Sequence, residues 1–182
     1  MVGMGIGVLL VAVHLLALVK PEAMQVWLKK LPRNERLGMI VLAVDFAWCF
    51  LIWSEMDLGD FYTFERGVQI VLVAGFLSFG YYVREFLAVR AIGLLMILAA
   101  CPVLDAAFLQ PITSRLLLVL LAYIWIIKGM FYVGMPYLMR DGIDWVIAKP
   151  KRWKMSAMAG LAYGASVLVC ALMFYGDIYP TG

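Results

Sequence analysis

Long apolar runs alternate with short polar ones along the whole chain, and the apolar runs have nearly constant length. They cover residues 2–19, 37–54, 67–83, 91–109, 116–136 and 156–175. A helix rising about 1.5 Å per residue needs roughly 20 apolar residues to cross the hydrocarbon of a bilayer. The pattern therefore predicts an all-α fold, a polytopic membrane helix bundle of about six spans, forming a single integral membrane domain over residues 1–182. The first run has neither a basic leader nor a small-x-small cleavage site, so it reads as a retained helix and not as a removed signal peptide.

The polar intervals differ in character. Pro21 breaks the first helix, and Glu22 to Leu31 (EAMQVWLKKL) follows as an amphipathic stretch suited to the membrane surface, with Trp27 at headgroup level. A second amphipathic stretch lies in Tyr137 to Met155, after the fifth span. Short interfacial helices are expected at both places. The link Glu55 to Glu65 is acidic and aromatic, Arg84 to Arg90 reads as a short turn, and Gln110 to Arg115 as a tight one. Pro102 should kink the fourth helix ahead of Asp105. Aromatic residues near the ends of the runs, Trp27, Trp53, Tyr62, Tyr137, Trp145, Trp153, Tyr175 and Tyr179, read as interfacial belts.

Composition excludes a soluble domain: 65% of residues are hydrophobic and 15% charged, with mean hydropathy +0.96. The net charge of +3 does not point to nucleic acid. The basic residues sit in clusters between apolar runs, where topology accounts for them. With the amino terminus outside, the inner side receives Lys20, Lys29, Lys30, Arg33, Arg36, Arg84, Arg90, Arg140, Lys149, Lys151, Arg152 and Lys154. The outer side receives Arg66 and Arg115. This bias places both termini on the outer side, with the large basic loops in the cytoplasm.

Motifs for catalysis and cofactors are missing from the sequence. Gly3, Gly5 and Gly7 have no strand before them and form no nucleotide fingerprint, and Val2 excludes N-myristoylation. Cys49, Cys101 and Cys170 fall inside apolar runs without metal-ligand spacing, which reads as small buried residues. No hydrolase elbow, HExxH, phosphate loop or CxxCH is present, and one histidine cannot supply two haem ligands. No metal, no cofactor and no enzymatic activity are expected. His14, the sole histidine, reads either as a proton-handling or ligand group or as a side chain hydrogen-bonded to a neighbouring helix.

Two ionisable residues stand deep in the runs. Asp45 lies eight residues past Leu37, and Lys128 eight before Pro136, so each sits roughly 12 Å inside the inner boundary. At equal depth they are candidates for an intramembrane charged pair, which would relieve the insertion cost of both. The same residues are alternatively part of a proton or solute pathway, or Lys128 snorkels alone to the headgroups. His14 falls near that level, while Asp105 approaches the outer face. Gly160 and Gly164 form a GxxxG suited to close helix packing, within the chain or across a homodimer.

The chain also shows a possible parallel repeat. A span, Pro21, Met24, an amphipathic stretch, Pro32 and Gly38 parallel a span, Pro136, Met139, an amphipathic stretch, Pro150 and Ser156. Around the second copy, Lys128-Gly129, with Pro136 seven residues after the glycine and Pro150 fourteen further on, resembles the YjeT-like small two-helix inner-membrane proteins. The resemblance covers residues 116–173 and implies an architecture and a location in a bacterial cytoplasmic (inner) membrane, with the outer side periplasmic; no catalytic role comes with it. Lys128 stands where that family has an acidic residue. Two functional classes follow from these features. One is an accessory or structural subunit of a larger membrane assembly, with the lipid bilayer, other subunits or a second copy as partners. The other is a small proton- or solute-transport protein using Asp45 and Lys128.

Overall fold

The computed structural model describes residues 2–56, 64–82, 85–108 and 115–174. Eight α-helices account for almost all of them: α1 (Val2–Val19), α2 (Pro21–Lys30), α3 (Glu35–Glu55), α4 (Glu65–Tyr82), α5 (Leu87–Phe108), α6 (Arg115–Gly134), α7 (Tyr137–Ile147) and α8 (Pro150–Phe174). A single 3-10 turn, Leu31–Arg33, joins α2 to α3. The described part is an all-α bundle. The expected turn over 110–114, most of the acidic link and the positions Tyr62, Tyr175 and Tyr179 lie outside the described residues.

Five helices, α1, α3, α5, α6 and α8, are long and apolar enough to cross a membrane. The expected third span is present as α4, with 18 residues, but it is not one of the five. Glu65, Arg66 and Gln69 crowd its first turn and Gly80, Tyr81 and Tyr82 its last, which lowers its apolarity. Its flank is nonetheless bare of protein, with Ile70 68%, Val71 69% and Leu77 62% exposed. Such faces suit lipid and not water.

Proline and glycine set the path of the chain. Pro21 carries no N–H, so the Ala17 carbonyl loses its helical donor. The Trp153 indole Nε1 donates to that carbonyl at 2.9 Å, in a buried position. Pro21 and Pro150 each open a helix, where a missing N–H costs nothing. Asn34 caps α3, its side chain accepting from the Leu37 N–H at 3.1 Å. The basic segment from Pro150 is the first turns of α8, and Arg90, expected in a turn, lies within α5 behind the buried Leu87, Ala88 and Val89. Phe86 makes the reversal before α5 with φ of 57°. Pro102 stands inside α5, which continues to Phe108.

The long helices meet where side chains are small. α5 and α6 cross at Gly93 and Gly129, where a Cβ on Gly93 would come within 2.8 Å of the Gly129 carbonyl oxygen, and one on Gly129 within 2.6 Å of the Gly93 oxygen. α1 lies along α8, with Gly7 against Leu168 and Gly164 against Leu10 and Val11. α3 meets α5 at Gly38, whose Cβ would come within 2.7 Å of the Ala88 nitrogen. The largest core cluster joins α5, α6 and α8 through Val103, Leu118 and Val167. Tyr163 on α8 ties the same region by donating its hydroxyl to the Leu117 carbonyl at 2.5 Å. α4 reaches the bundle through Phe76, whose ring lies 4.5 Å from that of Phe46 on α3.

Candidate functional site

Asp45 sits near the middle of α3, and its side chain is fully buried. Neither carboxylate oxygen has a hydrogen-bond partner. It faces a cavity of about 340 Å³ between α3, α4 and α5, with one wall residue from α6, lined by Leu42, Phe46, Cys49, Val71, Leu72, Gly75, Phe76, Phe79, Leu94 and Val133. Arg90 lines the same cavity, and its Nε is likewise buried without a partner. A buried polar side chain left without a hydrogen-bond partner costs roughly 1–3 kcal/mol, so it marks a position that calls for a partner.

Helix geometry sets the spacing of the two groups. α3 and α5 run in the same direction from their crossing at Gly38 and Ala88, since Leu42 next packs beside Ala91. Asp45 is seven residues beyond Gly38 and Arg90 two beyond Ala88, which leaves them separated by roughly 7 Å along the axes. No ion pair joins them. The gap suits an occupant with a donor or cationic group for the carboxylate and an acceptor for the guanidinium. Gly75 on α4 adds room, because an ideal Cβ there meets nothing within 4 Å.

The structure does not bring Asp45 and Lys128 together. The two share a depth but not a direction, because α5 packs against both α3 and α6 and stands between them. Gly129 faces α5 at the crossing, and Lys128, one residue and about 100° around the helix, is turned elsewhere. It lines a second cavity, of about 500 Å³, formed by α1, α2, α6, α7 and α8. The charged pair expected from the sequence is replaced by two charges in two cavities.

His14 lines the same cavity as Lys128. Its Nδ1 lies 2.7 Å from the Leu10 carbonyl of its own helix, the geometry of a donated bond that leaves Nε2 free. The ring fills the notch at Gly160, where any Cβ would overlap it. Gly160 and Gly164 thus both face α1. Asp105 is exposed near the end of α5, with the Cys101 thiol directed at its carboxylate at 3.9 Å, apart from either cavity. Met24 and Met139, equivalent in the apparent repeat, both line the second cavity, although the halves pack differently: α8 lies along α1, and α3 along α5.

Arg90 and Gly75 are the site residues that sequence reasoning missed. The signal for Arg90 was present: Leu87-Ala88-Val89 is apolar and continues into Ala91, so the arginine interrupts a run and does not precede one. Gly75 carried none, since a glycine with space in front of it looks the same in sequence as one against a backbone. Compared with protein-family models, curated proteins and solved structures, the chain finds no match.

Proposed function

We propose that this multi-pass membrane protein binds a small, largely apolar solute in the cavity between α3, α4 and α5, as the binding step of a transport or carrier activity. The observation that supports it is the fully buried Asp45 carboxylate, unpartnered and facing a mostly apolar space. Volumes of roughly 300 Å³ and above with a few convergent polar groups are typical of small-molecule sites. Asp45 anchors a donor or cationic group of the solute, and Arg90 takes an acceptor about one and a half helical turns away along the axes. The aromatic rings of Phe46, Phe76 and Phe79 enclose the apolar remainder.

Both the accessory-subunit reading and the transport reading drew on Asp45 and Lys128, the first as a tie within the bundle and the second as a pathway. With that tie unmade, the burial of Asp45 serves binding better than assembly. The test is mass spectrometry under non-denaturing conditions on protein purified from its own membrane. A retained small molecule is expected on the wild type, lost from Gly75→Leu, which fills the cavity, and from Asp45→Asn. Both variants should elute as the wild type does on size exclusion. The proposal fails if the wild type carries no such species, or if folded Gly75→Leu retains it.

A further inference from the structure

We propose that the second cavity, between α1, α6 and α8 and floored by α2 and α7, holds an anionic phospholipid with its headgroup phosphate on Lys128. Lys128 is the only lysine or arginine on its wall, and no Asp or Glu lines it. Among the described residues the lysine makes no ion pair. A cation on a membrane-spanning helix, without a counter-charge from the protein, calls for one from outside it. Six residues separate it from Gly134, the end of α6, or roughly 9 Å of helix. The four-carbon stem of lysine covers much of that distance, so the ammonium reaches headgroup level.

The rest of the cavity fits a lipid and not a free anion. Its walls are mainly apolar, with Trp27 half-exposed at the rim and Trp153 and Tyr132 deeper in. Acyl and glycerol carbons match those walls, whereas inorganic phosphate would leave most of about 500 Å³ unfilled. α2 and α7 contact each other, and Met24, Leu28, Val146 and Ile147 pack on the buried Ala17, Trp153 and Ala157 at that end of the cavity. His14 lines the same cavity, its Nδ1 held by the Leu10 carbonyl and the Nε2 edge of its ring seated against Gly160.

The test is lipid binding to the detergent-purified chain, counted by non-denaturing mass spectrometry with phosphatidylglycerol and phosphatidylcholine of matched chains. The wild type should prefer phosphatidylglycerol by about fivefold, the effect of one lysine at a membrane surface. Lys128→Met should abolish the preference and Lys128→Arg keep it. Both should fold, since Lys128→Met removes a charge from a span; size exclusion checks this. The double variant Lys29→Ala/Lys30→Ala, at the exposed end of α2, should leave the preference intact. Retention of the preference in folded Lys128→Met would overturn the proposal. So would its loss in the α2 variant, which would mean general surface attraction, and so would displacement of the lipid by glycerol 3-phosphate, which would mean a soluble phosphate ligand.

Discussion

At Gly93 and Gly129 a hydrogen in place of a side chain lets α5 and α6 touch backbone to backbone, and Gly164 does the same for α8 against α1. In a bilayer, where lipid tails are as apolar as leucine, helices associate through such close packing. Alanine at these positions has to push a carbonyl or a helix backbone aside. Gly129→Ala and Gly164→Ala are therefore expected to destabilise the bundle by roughly 1–3 kcal/mol, as overpacking does. Gly134 and Gly142 have nothing within 4 Å of an ideal Cβ. Alanine there should be neutral or stabilising by up to about 1 kcal/mol, from backbone entropy alone. Thermal midpoints of the four variants in one detergent check the contrast. Equal behaviour across the two groups would remove the close crossings from the account of stability. Trp153 acts at the same scale, since its indole replaces the one donor that Pro21 withholds from Ala17.

At the scale of elements, depth was legible in the sequence and azimuth was not. Counting residues from the ends of an apolar run places Asp45 and Lys128 at one level, because rise per residue is fixed. Which way each points depends on the order in which helices pack. That order is decided by pairs such as Gly38 with Ala88 and Gly93 with Gly129, which no local pattern announces. The same limit explains why residues 2–19 matched α1 at both ends while Arg90 was misplaced by the run it interrupts. With α5 between them, Asp45 and Lys128 should be energetically independent. A double-mutant cycle of Asp45→Asn and Lys128→Met, read as thermal midpoint or unfolding free energy, is expected to be additive within about 0.5 kcal/mol. A coupling of 1 kcal/mol or more would mean that the charges sense each other directly, against the packing described.

The whole molecule gathers its connectors at one end. The α1–α2–α3 path, the α4–α5 reversal and the α6–α7–α8 path lie together, since α4 runs antiparallel to α3 and α2 packs on α7. Of the 15 basic residues, all the described ones but Arg66, Arg115 and the intramembrane Lys128 belong to that end. Loops rich in lysine and arginine stay on the cytoplasmic side during insertion, so the connector end should face the cytoplasm and the opposite end the exterior. In a background with Cys49, Cys101 and Cys170 changed to alanine, Glu55→Cys at the far end of α3 should react with a membrane-impermeant maleimide added to intact cells. Lys30→Cys at the end of α2 should react only after the membrane is opened. The reverse pattern would invert the molecule. Orientation then bears on both cavities, because each has its basic side chain in the half of the molecule nearer the connectors: Arg90 lies in the first turn of α5 and Lys128 in the second half of α6. With the connectors inward, the Lys128 cavity meets the leaflet on the cytoplasmic side, and the Asp45 cavity offers its arginine to solutes arriving from that side.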